Sequence, residues 1–205
     1  MDLWDVERRL IAEGYSVICG VDEAGRGPLA GPVCAAAVIL PFGIEIHGLN
    51  DSKKLTEKTR ERLYDKITGA ALAFGVAYAD HSEIDTMNIL NATFLAMNRA
   101  IGMLSITPEL ALIDGNLNSG INSKSICLVG GDGKSASIAA ASIIAKVCRD
   151  TYMREMAEKY PGYGFERHKG YGTKLHYKKL DELGPSEIHR LSFNLRAKPT
   201  ELKLR

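Results

Sequence analysis

Gly20-Val21-Asp22-Glu23-Ala24-Gly25-Arg26-Gly27-Pro28-Leu29-Ala30-Gly31 closes an apolar run that starts at Tyr15, and it sets two adjacent carboxylates beside a glycine-flanked arginine. The run itself, residues 15–21, reads as a buried strand. Neighbouring side chains of a strand point to opposite faces, so Asp22 and Glu23 converge on one ion only where the strand ends or bends. Gly25 and Gly27 supply such a bend and leave their backbone N–H groups uncovered. The stretch therefore predicts a metal site beside a small backbone-lined pocket, and it calls for further ligands from elsewhere in the chain.

On the N-terminal side, Leu3, Val6, Leu10 and Ile11 have helical spacing before the stop at Gly14. On the C-terminal side, residues 32–40 form a second apolar run, close enough to the first to pair antiparallel, although its alanines ordinarily favour helix. A polar loop over 43–55 follows, then a helix capped by Thr56 and running to about Thr68 with Leu63, Tyr64 and Ile67 inward. Residues 70–79 read as a third strand. Ser82-Glu83-Ile84-Asp85 resembles a capping box, and helical period continues over 88–104. Strands over 109–114 and 125–129 end at Asp114-Gly115 and near Gly131-Asp132-Gly133. A long helix then spans 135–159, with Ile138, Ala141, Ala145 and Cys148 on one face, and Pro161 to Gly164 break it. A last helix is expected over 173–183. This order gives an α/β chain: a mixed five-stranded sheet flanked by helices, residues 1–160, with a basic C-terminal helical extension, residues 161–205, packed on it.

The 205 residues are 45% hydrophobic and 25% charged, as in an ordinary globular protein, and no apolar run reaches the roughly 20 residues of a membrane span. The N-terminal residues mix Asp2, Asp5 and Glu7 with Arg8 and Arg9, unlike a signal peptide, so a cytoplasmic location is expected. Cys19, Cys34, Cys127 and Cys148 lie in apolar segments without zinc spacing and read as small core residues. Net charge is only +1, but residues 159–205 carry 11 Lys/Arg against 5 Asp/Glu, leaving 15 against 20 for the rest. A basic end beside an acid-rich body suits a protein that grips a polyanion with one part and holds cations with another.

Three strands thus end at or near acids: Asp22-Glu23, Asp114 and Asp132. Carboxylates gathered at one sheet edge are tolerated when a divalent cation sits among them, and all-oxygen ligation points to Mg²⁺ or Mn²⁺. Four carboxylates suffice for two ions and hence for phosphoryl-transfer chemistry. Taken singly, each acid is as compatible with a turn cap, Asp114 and Asp132 most of all because Asp-Gly is a common turn pair. Asp150 is either a further ligand or a partner for Arg154 at i, i+4.

The motifs 20–31, Asn50-Asp51-Ser52-Lys53-Lys54-Leu55, Ile113-Asp114-Gly115, Gly131-Asp132, Ala140 to Val147, His168-Lys169-Gly170-Tyr171 and His189-Arg190-Leu191-Ser192-Phe193 together resemble the bacterial ribonuclease HII family, from about Ser16 to Phe193. The resemblance implies a ribonuclease-H-like fold and a metal-dependent endonuclease acting on RNA–DNA hybrids. It further implies cutting on the 5′ side of single ribonucleotides in duplex DNA, leaving 3′-hydroxyl and 5′-phosphate ends. Carried over by position, it makes Asp22, Glu23, Asp114 and Asp132 the catalytic metal ligands, with Asp150 in reserve. It sets Gly25, Arg26 and Gly27 on the ribonucleotide's 2′-hydroxyl and phosphates, and Tyr171 against the sugar at the junction.

The residues agree with this on physical grounds. A 2′-hydroxyl distinguishes RNA from DNA, and close backbone approach reads it without reading the base. Arg26 can hold a phosphate in bidentate fashion. Lys53, Lys54, Lys146, Lys169, His189 and Arg190 are candidate phosphate contacts, and Ser192 either bonds a phosphate or caps a helix start. His47, His81, His168, His176 and His189 show no metal spacing; His168 and His189 are possible phosphate donors and the others structural. A monomer is expected. Two rivals remain open at this stage: a junction resolvase or strand transferase of the same fold, which needs no hydroxyl reader, and a non-catalytic duplex-binding protein.

Overall fold

The chain is described by a computed structural model covering residues 2–49 and 55–196. Its central element is β1, Ile18–Ala24, which pairs antiparallel with β2, Val33–Ile39, on one side and parallel with β4, Leu110–Asp114, on the other. β3, Ala73–Ala79, and β5, Ser125–Leu128, complete a five-stranded mixed sheet in the order β3-β2-β1-β4-β5. The helices are α1 Asp5–Ala12, α2 Glu57–Ala70, α3 His81–Gly102, α4 Ala136–Lys159, α5 Phe165–His168 and α6 Lys174–Leu183. Among the described residues no helix is long and apolar enough to cross a membrane.

The alanines of β2 are strand residues because small side chains are needed on both faces. Ala35 and Ala37 pack with Ile84, Met97 and Ile101 of α3, whereas Ala36 and Val38 pack with Leu63 and Ile67 of α2 and with Ile143 and Ile144 of α4. Every residue of β2 is buried. α4 approaches β1 so closely that a Cβ on Gly20 would lie 2.1 Å from the Ser137 carbonyl carbon. That close crossing sets the position of the α4 N-terminus relative to the carboxylate end of β1.

Three local readings are corrected. First, β1 does not stop at Val21: pairing continues as Asp22↔Ala36, Glu23↔Ala35 and Ala24↔Cys34, so both acids lie inside the strand. Second, the capping box sits two residues earlier than expected, with Asp80 as N-cap accepting from Glu83 N–H while the Glu83 side chain accepts from Asp80 N–H. The helical period from residue 88 is nevertheless real, because Asn88 (φ 70°) kinks α3 and its side chain accepts from Leu90 and Asn91 N–H. Third, Asp150 does not pair with Arg154. Its Oδ1 takes the Lys146 ammonium at 2.7 Å, while Arg154 reaches Glu57 and Glu61 on α2. Cys19 and Cys34 are buried, Cys127 and Cys148 half-buried, and all four are free thiols.

The segment after α4 folds back onto the loop between β1 and β2. Leu29 N–H donates to Gly170 O, Gly31 N–H to Ile188 O, and Arg190 N–H to Leu29 O, with a bridge between Ala30 and His189. Beyond it, Asp85 on α3 accepts from Leu191 N–H, Ser192 N–H and the Ser192 hydroxyl, which latches the end of this segment.

Candidate active site

Parallel pairing of β1 with β4 and β4 with β5 carries three strand ends to one edge of the sheet. Asp22, Asp114 and Asp132 meet there, each offering a carboxylate oxygen within 4.8 Å of the others. Asp114 Oδ1 accepts from Gly131 N–H at 2.7 Å, which ties the end of β4 to the 3-10 turn Gly131–Gly133 that carries Asp132. Asp22 is only 5% exposed, and its Oδ1 accepts from Glu23 N–H at 2.7 Å. Burial, followed by the charges of Glu23, Asp114 and Asp132, pushes the Asp22 carboxyl well above the usual carboxylate range. Buried like charges at this spacing fit a divalent cation, which would offset their mutual repulsion.

Glu23 stands beside this group without belonging to the three. Strand alternation turns it to the other face of β1, where Oε1 lies 3.5 Å from Arg26 Nη1. Its charge still acts on Asp22. Asp150 is buried in its ion pair with Lys146 and lies outside the three-carboxylate group.

The loop after β1 is shaped by two buried arginines. Gly25 has φ +98°, and a Cβ there would fall 1.9 Å from Arg149 Nε, so only glycine fits. Arg149, fully buried, donates to the carbonyls of Pro32, Lys169 and Ala30. Arg190, also fully buried, donates from Nη2 to Gly25 O at 2.6 Å, from Nη1 to Arg26 O at 2.9 Å and from Nε to Gly31 O at 2.9 Å. Carbonyls of the loop are thereby bound from within, and the Arg26 side chain stands half-exposed. Gly27 faces the ring of Tyr171, which a Cβ there would approach to 3.9 Å. Tyr171 is 42% exposed, with Lys146 Nζ 5.9 Å and the Arg149 guanidinium 5.7 Å from its ring centre.

The remaining expected contacts separate. Arg190 has no exposed surface to offer a phosphate, since its donors are spent on the loop. His189 is 1% exposed and bonded to His176 and Ser186, and His168 is likewise buried against Tyr163 O and Gly170 N–H. The Ser192 hydroxyl is bound to Asp85. Lys169, at φ +50°, folds its ammonium onto Glu166 O at 2.7 Å. Lys53, with Lys54, lies outside the described residues. The side-chain polar groups of His168, His189 and Arg190 are thus buried and bonded internally, whereas Ser192 is exposed with its hydroxyl on Asp85. Arg149 was missed because an arginine after Cys148 on a helix reads as a solvated charge; the signal for it is Gly25, which leaves it room.

The sheet order, the carboxylate edge and the helix crossing define a ribonuclease-H-type nuclease fold. In solved structures it is similar to ribonuclease H2 from Pyrococcus horikoshii, with TM-score 0.72 and 27% identity over 88% of this chain and 95% of that one. It is also similar to the chain in the PCNA:RNase HII complex from Archaeoglobus fulgidus, with TM-score 0.71 and 25% identity over 89% and 98%. Bst-RNase HIII in complex with Mn²⁺ shares the fold at TM-score 0.68 and 22% identity, covering 89% of this chain and 68% of that one. Residues 19–196 match the profile of the ribonuclease HII family, and the chain is 55% identical over 192 residues to ribonuclease HII of Caldicellulosiruptor bescii, covering 93% of this chain and 92% of the relative. Ribonuclease HII of Geobacter sulfurreducens is 53% identical over 191 residues, 93% and 88% of the two chains. The chain belongs to the ribonuclease HII family and is a ribonuclease H hydrolase, an endonuclease acting on RNA–DNA hybrids.

Proposed function

We propose that this enzyme hydrolyses the phosphodiester on the 5′ side of ribonucleotides, including single ribonucleotides embedded in duplex DNA, and leaves 3′-hydroxyl and 5′-phosphate ends. The observation that carries the reading is the adjacency in the chain of two things: Asp22 of the Asp22, Asp114 and Asp132 group, and the loop that directly follows β1, whose Gly27 faces the Tyr171 ring. Asp22, Asp114 and Asp132, with the charge of Glu23 beside them, would hold two Mg²⁺ or Mn²⁺ ions. When bound, such ions supply positive charge that activates a water and offsets charge on the leaving oxygen. The protein's own part is to fix the geometry. Arg190 and Arg149 immobilise the loop, its backbone at Gly25 and Gly27, exposed at Gly27, reads the 2′-hydroxyl, Arg26 binds the adjoining phosphate, and Tyr171 stacks on the sugar.

Residues 1–160 supply the carboxylates, and of the basic extension 161–205 the described part, residues 161–196, braces the reading loop and adds cations along the duplex. Lys169 joins them once its ammonium is released from Glu166. All these groups come from one chain, which supports action as a monomer. The test is a duplex with one embedded ribonucleotide, incubated with and without Mg²⁺ or Mn²⁺ and mapped at the cut. One metal-dependent nick 5′ to the ribonucleotide is expected. Equal cutting of an all-DNA duplex would sink the hydroxyl-reading role and favour a strand transferase or resolvase.

A further inference from the structure

Three imidazoles lie together beneath Tyr171, in the part of the chain farthest in sequence from the carboxylates. His168, His176 and His189 are buried, with the His168 and His176 rings stacked 4.3 Å apart and the edge of Phe165 against both. Their bonding leaves one consistent placement of protons. The Tyr171 carbonyl can only accept, so His176 Nδ1 carries the proton donated to it at 3.0 Å. Neutral His176 then accepts at Nε2, so His189 Nε2 carries the proton shared between them at 3.0 Å. His189 accepts at Nδ1 from Ser186 N–H at 2.8 Å. His168 accepts at Nδ1 from Gly170 N–H and donates from Nε2 to Tyr163 O. Both nitrogens of every ring are used.

The turn these rings support is not one the backbone adopts unaided. Lys169 (φ +50°) and Gly170 (φ +84°) are both left-handed. Around them, Tyr171 N–H donates to His168 O, and Tyr171 O accepts from Thr173 N–H as well as from His176. We propose that the chain Ser186–His189–His176–Tyr171 is a positioning device: it fixes the backbone of Tyr171 so that the ring projects toward Gly27 in the pose that meets the nucleotide sugar. His176 and His189 are positioning residues, neither reaching substrate. The inference rests on the stacking role given to Tyr171 above.

The test is a double-mutant cycle on the single-ribonucleotide duplex under steady-state conditions. His176→Phe keeps a flat ring in the stack and removes both hydrogen bonds. It is expected to raise KM on the order of 10-fold with kcat changed less than about 3-fold, the pattern of lost uniform binding. His176→Gln, whose amide can donate and accept at once, recovers most of that loss. In a Tyr171→Ala background, His176→Phe adds nothing further to KM. If it adds the same factor there as in the native background, the histidines merely stabilise the fold and the positioning role is overturned. A Tyr171→Ala enzyme with native KM would instead sink the stacking role itself, so the two failures are distinguishable. Should His176→Phe not fold, His189→Leu takes its place in the cycle with the same outcomes.

Discussion

Arg190 Nη1 donates to the carbonyl oxygen of Arg26 at 2.9 Å, joining residues 164 positions apart in sequence. The arginine read as a surface cation is the internal brace of the loop that carries the exposed one. Lysine has a single nitrogen and cannot serve three carbonyls in a fixed fork. Arg190→Lys is expected to lose roughly 2–4 kcal/mol of stability, as buried acceptors lose their donors. It should also lower kcat/KM on the single-ribonucleotide duplex by about 10-fold or more. Thermal melting and steady-state kinetics check the two parts separately.

Asp114 offers a different separation. Asparagine keeps the Oδ1 acceptor that holds Gly131 N–H but removes the charge. Asp114→Asn is therefore expected to fold, to bind the duplex within a few-fold of the native enzyme, and to lose cleavage by about 10³-fold or more. Unchanged cleavage in a gel assay would remove Asp114 from the catalytic set.

The repulsion around Asp22 predicts that divalent ions stabilise the folded chain. At an ion concentration about 100 times the dissociation constant, the gain is roughly 2.7 kcal/mol for one site, or about 5–10 °C in Tm for a chain of this size. Chelation should abolish both this shift and cleavage. An Asp22→Asn variant, with less repulsion to relieve, should show a smaller shift in the same melting experiment.

Glycines 25 and 27 should part company on mutation. Gly25→Ala forces a Cβ into the Arg149 side chain at a φ of +98° and is expected to cost about 2 kcal/mol or more. Gly27→Ala meets only the Tyr171 ring at 3.9 Å, ordinary contact, so its stability should change by less than about 1 kcal/mol while cleavage falls. Equal destabilisation of both would contradict the difference in their surroundings.

Acid should loosen the extension. Burial pushes His176 and His189 down to about 4 from the ordinary 6.5, and His168 is also lowered. Glu166 and Lys169 act on His168 and His81 acts on His189, but burial dominates. The folded state holds these rings neutral, whereas the unfolded chain takes up protons below 6.5. Their contribution is therefore complete above pH 6.5, falls as pH drops from 6.5 to 4, and falls no further below that. For His176 and His189 the loss is on the order of 3 kcal/mol each. Denaturant melts at pH 7.5 and 4.5 measure it, and His176→Gln should be less pH-sensitive than the native chain.

The strands, the long helix and the three aspartates were legible because each depends on local pattern: apolar runs, helical period and an acid before or beside glycine. What escaped was decided by partners distant in sequence. The acids of β1 lie inside the strand because the alanines of β2 keep pairing beside them, which no reading of residues 15–31 alone reveals. His189, Arg190 and Ser192 were read as phosphate contacts because a basic tail looks solvated. Arg190 is internal because the loop from Gly25 to Pro32 presents carbonyls that must find donors; His189 is buried with its ring bonded to His176 and Ser186, and the exposed Ser192 has its hydroxyl on Asp85. Lys53 remains an expectation.

The bond between Arg190 and the loop also orders events in time. A chain growing from its N-terminus possesses all three clustered aspartates once residue 132 has been added, yet the loop after β1 stays without this brace for another 58 residues of synthesis, until residue 190 arrives. The latch from Asp85 to Leu191 and Ser192 follows at once. In this protein the carboxylate group is complete in the sequence well before the arginine that braces the loop beside it.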